Sequence, residues 1–241
     1  MYVNSQNNSV LPVIKVDAPS GYGLDNRFMY ALNKFENFKR PCGGGNVEAC
    51  ENVKRVILDW AKADAAQRIG AANHEAKHWN DTLTVNLWIA SPMMAGYSFA
   101  KQRITIPQDE DKIIKEWFKK IVKKNQHLMY ELNKYKQGTQ AAGVPRSAHN
   151  HALSSAISHM QLGILLNDNK LFRKAFKNYE YAIKFQRKDG SMPIETRRGG
   201  RAMFYQGRAM TALTAIAVIA ENQGYNIWDY DHKGKNFHNI V

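Results

Sequence analysis

Apolar residues recur at helical spacing along most of the chain. Val53, Val56, Ile57 and Trp60 stand at positions i, i+3, i+4 and i+7, which places them on one face of a helix. The same periodicity predicts seven helices in the chain. The first three cover residues 26–38, 53–69 and 74–90, and the fourth begins at the acidic end of residues 102–112. The last three cover residues 147–166, 171–185 and 201–222.

The segments between these helices complete an all-α prediction. Residues 1–24 form a loose lead-in, residues 91–96 close the third helix, and residues 138–145 form a loop, because each is rich in proline, glycine or polar residues. No segment has the pattern of a convincing strand. Short loops favour antiparallel helical hairpins packed side by side, in a bundle, a solenoid or a toroid. No fixed repeat supports an ordinary solenoid.

Length and charge limit the possible classes further. With 241 residues, of which 44% are hydrophobic, the chain can bury one core, and a single domain over 1–241 is the simplest organisation. The formal net charge of +13 favours an anionic partner: nucleic acid, an acidic lipid surface or an acidic polymer. No apolar run is long enough to span a bilayer, and the first residues lack a signal-peptide pattern. The chain is therefore an intracellular or viral product, or the mature or trimmed form of an exported one.

Two motifs raise the question of cysteine and metal chemistry. Cys42 and Cys50 flank a glycine-rich segment, and either a disulfide or two free thiols would fit this spacing. Residues 74–78 match H-E-x-x-H, a zinc-binding pattern in which two histidines share one helical face. No histidine or glutamate follows between His78 and Glu110 to act as a third ligand. We therefore expect no metal, and the histidines of this motif to lie at the surface or in a cleft.

An unusual group of charges stands before the last predicted helix. Arg197, Arg198 and Arg201 precede Tyr205 by eight, seven and four residues. If the helix continues through them, Arg198 and Arg201 lie on the face that carries the phenol. Guanidinium groups beside a phenol stabilise its phenolate, so Tyr205 could exchange protons. The alternative is a solvated basic face with Tyr205 half buried.

A second group opens the fifth predicted helix, where Arg146, His149, Asn150 and His151 follow a proline. At a helix N-terminus the dipole disfavours an imidazolium, so His151 would remain neutral and available as a base. Asn150 offers an amide donor. The alternative is a capped helix start with two surface histidines.

Taken together, the two groups supply what β-elimination from a uronic acid polymer requires. The C5 proton is weakly acidic because the adjacent carboxylate is already negative, so that carboxylate must be neutralised to stabilise an enolate-like intermediate. A base then removes the C5 proton, and an acid protonates the glycosidic oxygen that leaves C4.

These residues also form recognisable motifs. The chain resembles the alginate lyase superfamily of polysaccharide lyase family 5, whose motifs are N-N-H-x-x-W and R-x-x-R-A-x-x-Y-H. They stand here as HNHALS at 149–154 and RGGRAMFYQ at 198–206. The resemblance is clearest over 147–228 and also covers a G-x-x-P-x-E segment at 190–195.

The resemblance implies a fold, roles for four residues and a set of substrate contacts. The fold would be an incomplete α/α toroid, a barrel of antiparallel helical hairpins whose groove holds the polyanion. Asn150 and Arg198 would neutralise the carboxylate, His151 would be the base for one C5 epimer, and Tyr205 would be the acid and, for the other epimer, also the base. No metal or other cofactor is expected. Further substrate contacts are predicted at Arg146, His149, Arg197, Arg201, Gln206 and Trp79.

Departures from the family pattern affect these contacts. His149 replaces the first asparagine, Ser154 the tryptophan, and Gln206 the histidine after the tyrosine. Trp79 could stack on a sugar ring or be buried between helices. Tyr22 and Arg27 are candidates to replace the basic lid loop of the family.

The sequence therefore predicts a polysaccharide lyase that cleaves alginate, polymannuronate or a related polyuronate and leaves C4–C5 unsaturated ends. A glucuronan lyase and a non-catalytic module that binds acidic glycans are the alternatives. The expected partner is an anionic polysaccharide, with no nucleic acid and no membrane, bound by a monomer. The expected location is periplasmic or secreted if the chain is a mature or trimmed form.

Overall fold

Helices make up most of the chain in the computed structural model, which describes residues 13–17, 23–24, 26–66, 68–70, 89–134 and 149–240. Two compact units are present, Met1–Asn125 and Gln126–Val241. The single-domain organisation of residues 1–241 stays a prediction. The described helices are α1 (Asn26–Gly43), α2 (Val47–Lys62), α3 (Ser91–Lys101), α4 (Gln108–Lys134), α5 (Asn150–Leu166), α6 (Asn169–Phe185), α7 (Pro193–Thr196) and α8 (Ala202–Glu221), with 3-10 turns at Gly199–Arg201 and Phe237–Asn239.

A small sheet in the first unit contradicts the prediction that the chain has no strand. Its strands are β1 (Val13–Asp17), β2 (Gly23–Leu24) and β3 (Arg68–Gly70), in the order β2-β1-β3. β1 is antiparallel to β2 and parallel to β3. Strands of two to five residues are too short for alternation to be recognised, and β3 pairs with a partner more than 50 residues away in sequence.

The ends of the early helices also differ from the prediction. α2 begins at Val47, where the side chain of Asn46 accepts a hydrogen bond from the backbone N–H of Ala49 at 2.8 Å and so caps the helix. It ends at Lys62 rather than Ile69 because Asp64 and Ala66 have positive φ angles, which a right-handed helix does not allow.

The segment 91–96, predicted to close a helix, instead opens α3. Pro92 stands in the first turn of α3, where a missing N–H costs no intrahelical hydrogen bond. Gly96 is needed where it lies, since a Cβ atom there would come within 2.8 Å of the Phe35 ring. α1 likewise continues through Pro41 to Gly43 instead of ending at residue 38.

Cys42 and Cys50 form a disulfide, which decides between the two alternatives left open by the sequence. Cys42 lies in the last turn of α1 and Cys50 in the first turns of α2. Both are fully buried, so the bond joins the two helices inside the first unit.

The second unit is built on the hairpin of α5 and α6, and both predicted helices are confirmed to within three residues at each end. Asn167 ends α5 in the left-handed conformation, and the side chain of Asp168 accepts a hydrogen bond from Leu171 N to cap α6. Gly163 allows the close approach of the two helices, because a Cβ atom there would lie 2.7 Å from the backbone nitrogen of Phe172.

α8 packs on this hairpin and fills the rest of the core of the second unit. The buried side chains shared by α5, α6 and α8 include Leu153, Met160, Tyr179, Ile183, Leu213 and Ile216. The short helix α7 packs against α8. This arrangement brings the first turn of α5, the end of α7 and the first turn of α8 close to one another.

Candidate active site

The first turn of α5 holds three polar residues in a buried position. His149 is the N-cap, and its Nδ1 atom accepts a hydrogen bond from the backbone N–H of His151 at 3.2 Å. His149, Asn150 and His151 are 3%, 4% and 7% exposed, so the alternative of two surface histidines is wrong. Buried polar side chains require partners, and those of His149 and Asn150 come from a segment more than 40 residues later.

The main partner is Glu195, a residue to which the sequence analysis gave no role. Its carboxylate is fully buried near the end of α7. One oxygen accepts a hydrogen bond from the backbone N–H of Asn150 and the other from the Asn150 side-chain amide, both at 2.8 Å. This double contact fixes the orientation of the amide. The sequence signal that could have revealed it is the lone acid in the segment 190–195.

The charge on Glu195 is balanced by its surroundings. Burial raises the pKa of its carboxyl group, while the two hydrogen bonds from Asn150 and the positive charge of Arg198 oppose that rise. His149 Nε2 lies 4.0 Å from one carboxylate oxygen and also contacts the Arg198 guanidinium. Asn150, Glu195, His149 and Arg198 therefore form one connected polar cluster.

Arg198 also contacts the candidate catalytic tyrosine. The guanidinium carbon lies 4.2 Å from the centroid of the Tyr205 ring, which is a stacked cation–π geometry. The predicted proximity to Tyr205 is thus confirmed for Arg198, but the prediction that a continuous helix brings them together is wrong. α8 begins only at Ala202, and Arg198 precedes a 3-10 turn that starts at Gly199, whose φ is +56°.

Gln206, for which a substrate contact stays a prediction, is buried and hydrogen-bonded to the segment before α7. It is 3% exposed. Its side-chain oxygen accepts a hydrogen bond from Met192 N at 3.0 Å, and its nitrogen lies 3.4 Å from the carbonyl oxygen of Gly190. Gln206 thus holds the loop that leads into α7 and to Glu195.

The other residues singled out in the sequence fall into two groups, those that the structure describes and those that it does not. Arg197 and Arg201 are exposed on either side of Arg198, and Ser154 donates a hydrogen bond to the carbonyl oxygen of Asn150 at 2.9 Å. A second group lies outside the described residues or, for Arg27, outside the described side chains. It consists of Arg146, Trp79, Tyr22, Arg27 and the motif at 74–78.

No group of three or more His, Cys, Asp or Glu side chains in the described ranges is placed to hold a metal ion. None of the helices in those ranges has the length and apolar character needed to cross a bilayer.

The geometry places donors beside groups that can exchange a proton. The amide of Asn150 and the guanidinium of Arg198 can neutralise an anionic ligand. The imidazole of His151 and the phenol of Tyr205 can accept or give a proton. These side chains come from two segments of the second unit, residues 150–151 and 198–205, and are brought together by the packing of α5, α7 and α8.

Proteins with sequences similar to this chain include alginate lyases. The alginate lyase family model matches residues 4–241. An alginate lyase from Pseudomonas syringae pv. syringae is 28% identical over 189 residues, which cover 76% of this chain and 45% of the relative. The chain therefore spans about half the length of this curated relative.

Solved structures show the same fold at low sequence identity. Alginate lyase A1-III from Sphingomonas species A1 aligns with a TM-score of 0.71 and 18% identity, over 99% of this chain and 67% of that chain. A tyrosine-to-phenylalanine variant of alginate lyase A1-III, in complex with a tetrasaccharide, aligns with a TM-score of 0.69 and 20% identity, over 88% and 57%. These matches confirm the all-α class and the α/α toroid fold. With its family model matched over nearly the whole sequence, the chain belongs to the alginate lyase family.

Proposed function

We propose that this chain is a polysaccharide lyase that cleaves alginate, polymannuronate or a related polyuronate by β-elimination. The observation that carries the proposal is the stack of Arg198 on Tyr205 beside the buried, oriented amide of Asn150. Relatives named alginate lyase, and an alginate lyase structure that contains a tetrasaccharide, support the substrate class.

In the proposed first step, the substrate carboxylate is neutralised. One N–H of the Asn150 amide is held by Glu195, and the amide carries a second N–H that can donate to the carboxylate. Arg198 supplies the positive charge. Since the negative charge of the enolate develops on this carboxylate, donors fixed in place before reaction lower the barrier.

In the second step, the C5 proton moves to a base. His151 takes it for one C5 epimer, and Tyr205 takes it where the proton lies on the tyrosine side. The C4–C5 double bond forms as the C4–O4 bond breaks, and Tyr205 protonates the departing oxygen. Where His151 is the base, Tyr205 begins as the phenol and ends as the phenolate. Where Tyr205 is also the base, it begins as the phenolate, becomes the phenol on taking the C5 proton and returns to the phenolate on giving that proton to O4. In both cases the guanidinium over its ring stabilises the phenolate form.

We also propose the setting in which the enzyme works. The partner is an anionic polysaccharide, bound by a monomer without nucleic acid or membrane. The net charge of +13 steers the polyanion toward the protein. The bond between Cys42 and Cys50 favours an oxidising compartment, as expected for a periplasmic or secreted protein.

The test measures double-bond formation directly. The protein is mixed separately with polymannuronate, polyguluronate and polyglucuronate, and the ultraviolet absorbance of the new C4–C5 double bond is followed. A rise on one polymer supports elimination and names the substrate. Flat traces on all three, with polymer still bound, would favour a non-catalytic glycan-binding module.

A variant pair assigns the proton transfer. Tyr205→Phe should abolish turnover and leave polymer binding nearly intact, because only the hydroxyl is lost. Tyr181→Phe is the matched control, since Tyr181 is 40% exposed on α6 and lies outside the proposed site. If Tyr205→Phe keeps most of its kcat, Tyr205 has no part in the mechanism.

A further inference from the structure

Two large apolar side chains stand exposed beside the candidate catalytic tyrosine. Met203 is 78% exposed and Phe204 is 56% exposed, whereas Tyr205 is 7% exposed. Water contact with so much apolar surface is unfavourable, and neighbouring exposed apolar groups often mark a binding surface. The mechanism proposed above uses neither side chain.

The ring of Phe204 belongs to an ordered array. It meets the Tyr205 ring edge to face, with centroids 5.3 Å apart. One helical turn later, the guanidinium carbon of Arg208 lies 5.0 Å from the Phe204 centroid. These contacts form one row in the order Arg198, Tyr205, Phe204 and Arg208, with a cation at each end and two rings between them.

Arg208 is exposed at the outer end of this array. No carboxylate of the described residues lies within ion-pair distance of its guanidinium. Its contact with the Phe204 ring restricts the side chain, so less conformational entropy is lost when the guanidinium pairs with an anion.

We propose that Phe204 and Arg208 form a uronate-binding subsite next to the catalytic centre. The ring of Phe204 packs against the C–H face of one pyranose, and Arg208 donates two parallel hydrogen bonds to the carboxylate of the same sugar. Because the Phe204 ring meets the Tyr205 ring edge to face, this uronate is the neighbour of the one that is cleaved. This inference rests on the proposed function, because the proposed polyuronate substrate identifies the ligand as a uronate.

Charge and shape select this ligand over a neutral glycan. A neutral sugar would use only the Phe204 ring, whereas a uronate also uses the Arg208 guanidinium. Each residue should therefore matter for polyuronate, and Arg208 should not matter for a neutral polymer.

The first measurement is binding without cleavage. Polymannuronate binding is measured by calorimetry in the Tyr205→Phe background, with and without Phe204→Ala or Arg208→Gln. The Kd should rise about tenfold for each change, the size expected when one charge-assisted or stacking contact is lost. Arg208→Gln should also weaken the salt dependence of binding, while Phe204→Ala should not. Arg173→Gln and Val218→Ala are the controls, because both residues are exposed elsewhere in the second unit.

The second measurement uses the active enzyme. With polymer as substrate, Phe204→Ala and Arg208→Gln should raise KM about tenfold and change kcat by less than about twofold. Conservative variants are included for comparison. Phe204→Leu keeps the apolar bulk but loses the flat ring, and Arg208→Lys keeps the charge but loses the paired hydrogen bonds, so both should recover only part of the affinity.

The outcomes separate this inference from the proposed function. If the parent enzyme forms no double bond in any polyuronate, the proposed function fails whatever the variants do. If the parent enzyme is active and all variants match their controls in Kd and KM, the subsite is refuted. It is also refuted if light scattering shows that the parent protein dimerises and Phe204→Ala does not, since the apolar surface would then bind a second copy.

Discussion

In the proposed lyase, the fully buried carboxylate of Glu195 should control the rate by holding Asn150. Both oxygens accept hydrogen bonds from Asn150 at 2.8 Å. Glu195→Gln replaces one acceptor by an NH₂ group, which cannot accept from an N–H. The backbone of Asn150 is fixed by α5, so its side-chain amide turns away.

The expected loss of kcat follows from the strength of the hydrogen bond between Glu195 and the Asn150 amide. A hydrogen bond to a charged group contributes about 1.5–3 kcal/mol, so a displaced amide should lower kcat by about 10- to 100-fold. The free energy of unfolding should fall by less than this contact alone would give, because burial disfavours the charged carboxylate, as its raised pKa indicates.

The assay compares kcat, KM and thermal stability for the same preparations. Glu195→Gln should lower kcat on the polymer more than it raises KM, and Glu195→Asp should recover part of the rate. Glu180→Gln is the matched control, because Glu180 is exposed on α6. A Glu195→Gln protein that folds normally and keeps kcat within twofold of the parent would refute the reasoning.

Three further predictions concern stability. Gly163→Ala should lower the free energy of unfolding in urea by about 1–3 kcal/mol, since the new Cβ would lie 2.7 Å from the α6 backbone. Gly207→Ala should raise the free energy of unfolding by about 0.5–1 kcal/mol, because Gly207 has open space around it. Equal effects of the two changes would contradict the close packing at Gly163. Asp111 has a pKa lowered to about 2 from 3.8, because hydrogen bonds from two lysines and a tyrosine outweigh burial. Because water partly screens these charges, its contribution is about 1 kcal/mol. It is present above pH 3.8 and lost as the pH falls toward 2, so Asp111→Asn should destabilise the protein in urea titrations at pH 7 but not near pH 2. Gln206→Ala should lower the free energy of unfolding by about 1–3 kcal/mol, because the buried N–H of Met192 loses its acceptor. An unchanged melting temperature in thermal unfolding would contradict this structural role of Gln206.

Much of the second unit could be predicted from local patterns. The helices at 150–166, 169–185 and 202–221 follow from apolar spacing and from the turn residues Asn167 and Asp168, since both signals act within a few residues. The motif residues Asn150, Arg198 and Tyr205 were also found in this way, because each stands in a short run with recognisable chemistry.

Predictions that required contacts across the chain were less successful. The strand pairing of Val13 with Arg68 has no local signal, so β3 was assigned to a helix. Gln206 stands where the family motif has a histidine, and its place in the motif gave no sign that its side chain accepts a hydrogen bond from Met192, 14 residues earlier.

The sequence by itself determined the long helices of the second unit, the positive charge, and the set of side chains proposed for β-elimination, because these depend on residue type and short spacing. The tertiary structure decided how those side chains meet: Glu195 against Asn150 across 45 residues, Arg198 over Tyr205 through a turn rather than a helix, and the exposure of Phe204 beside a buried tyrosine. Each of these depends on how α5, α7 and α8 pack, and packing joins residues whose separation along the chain carries no information about their distance.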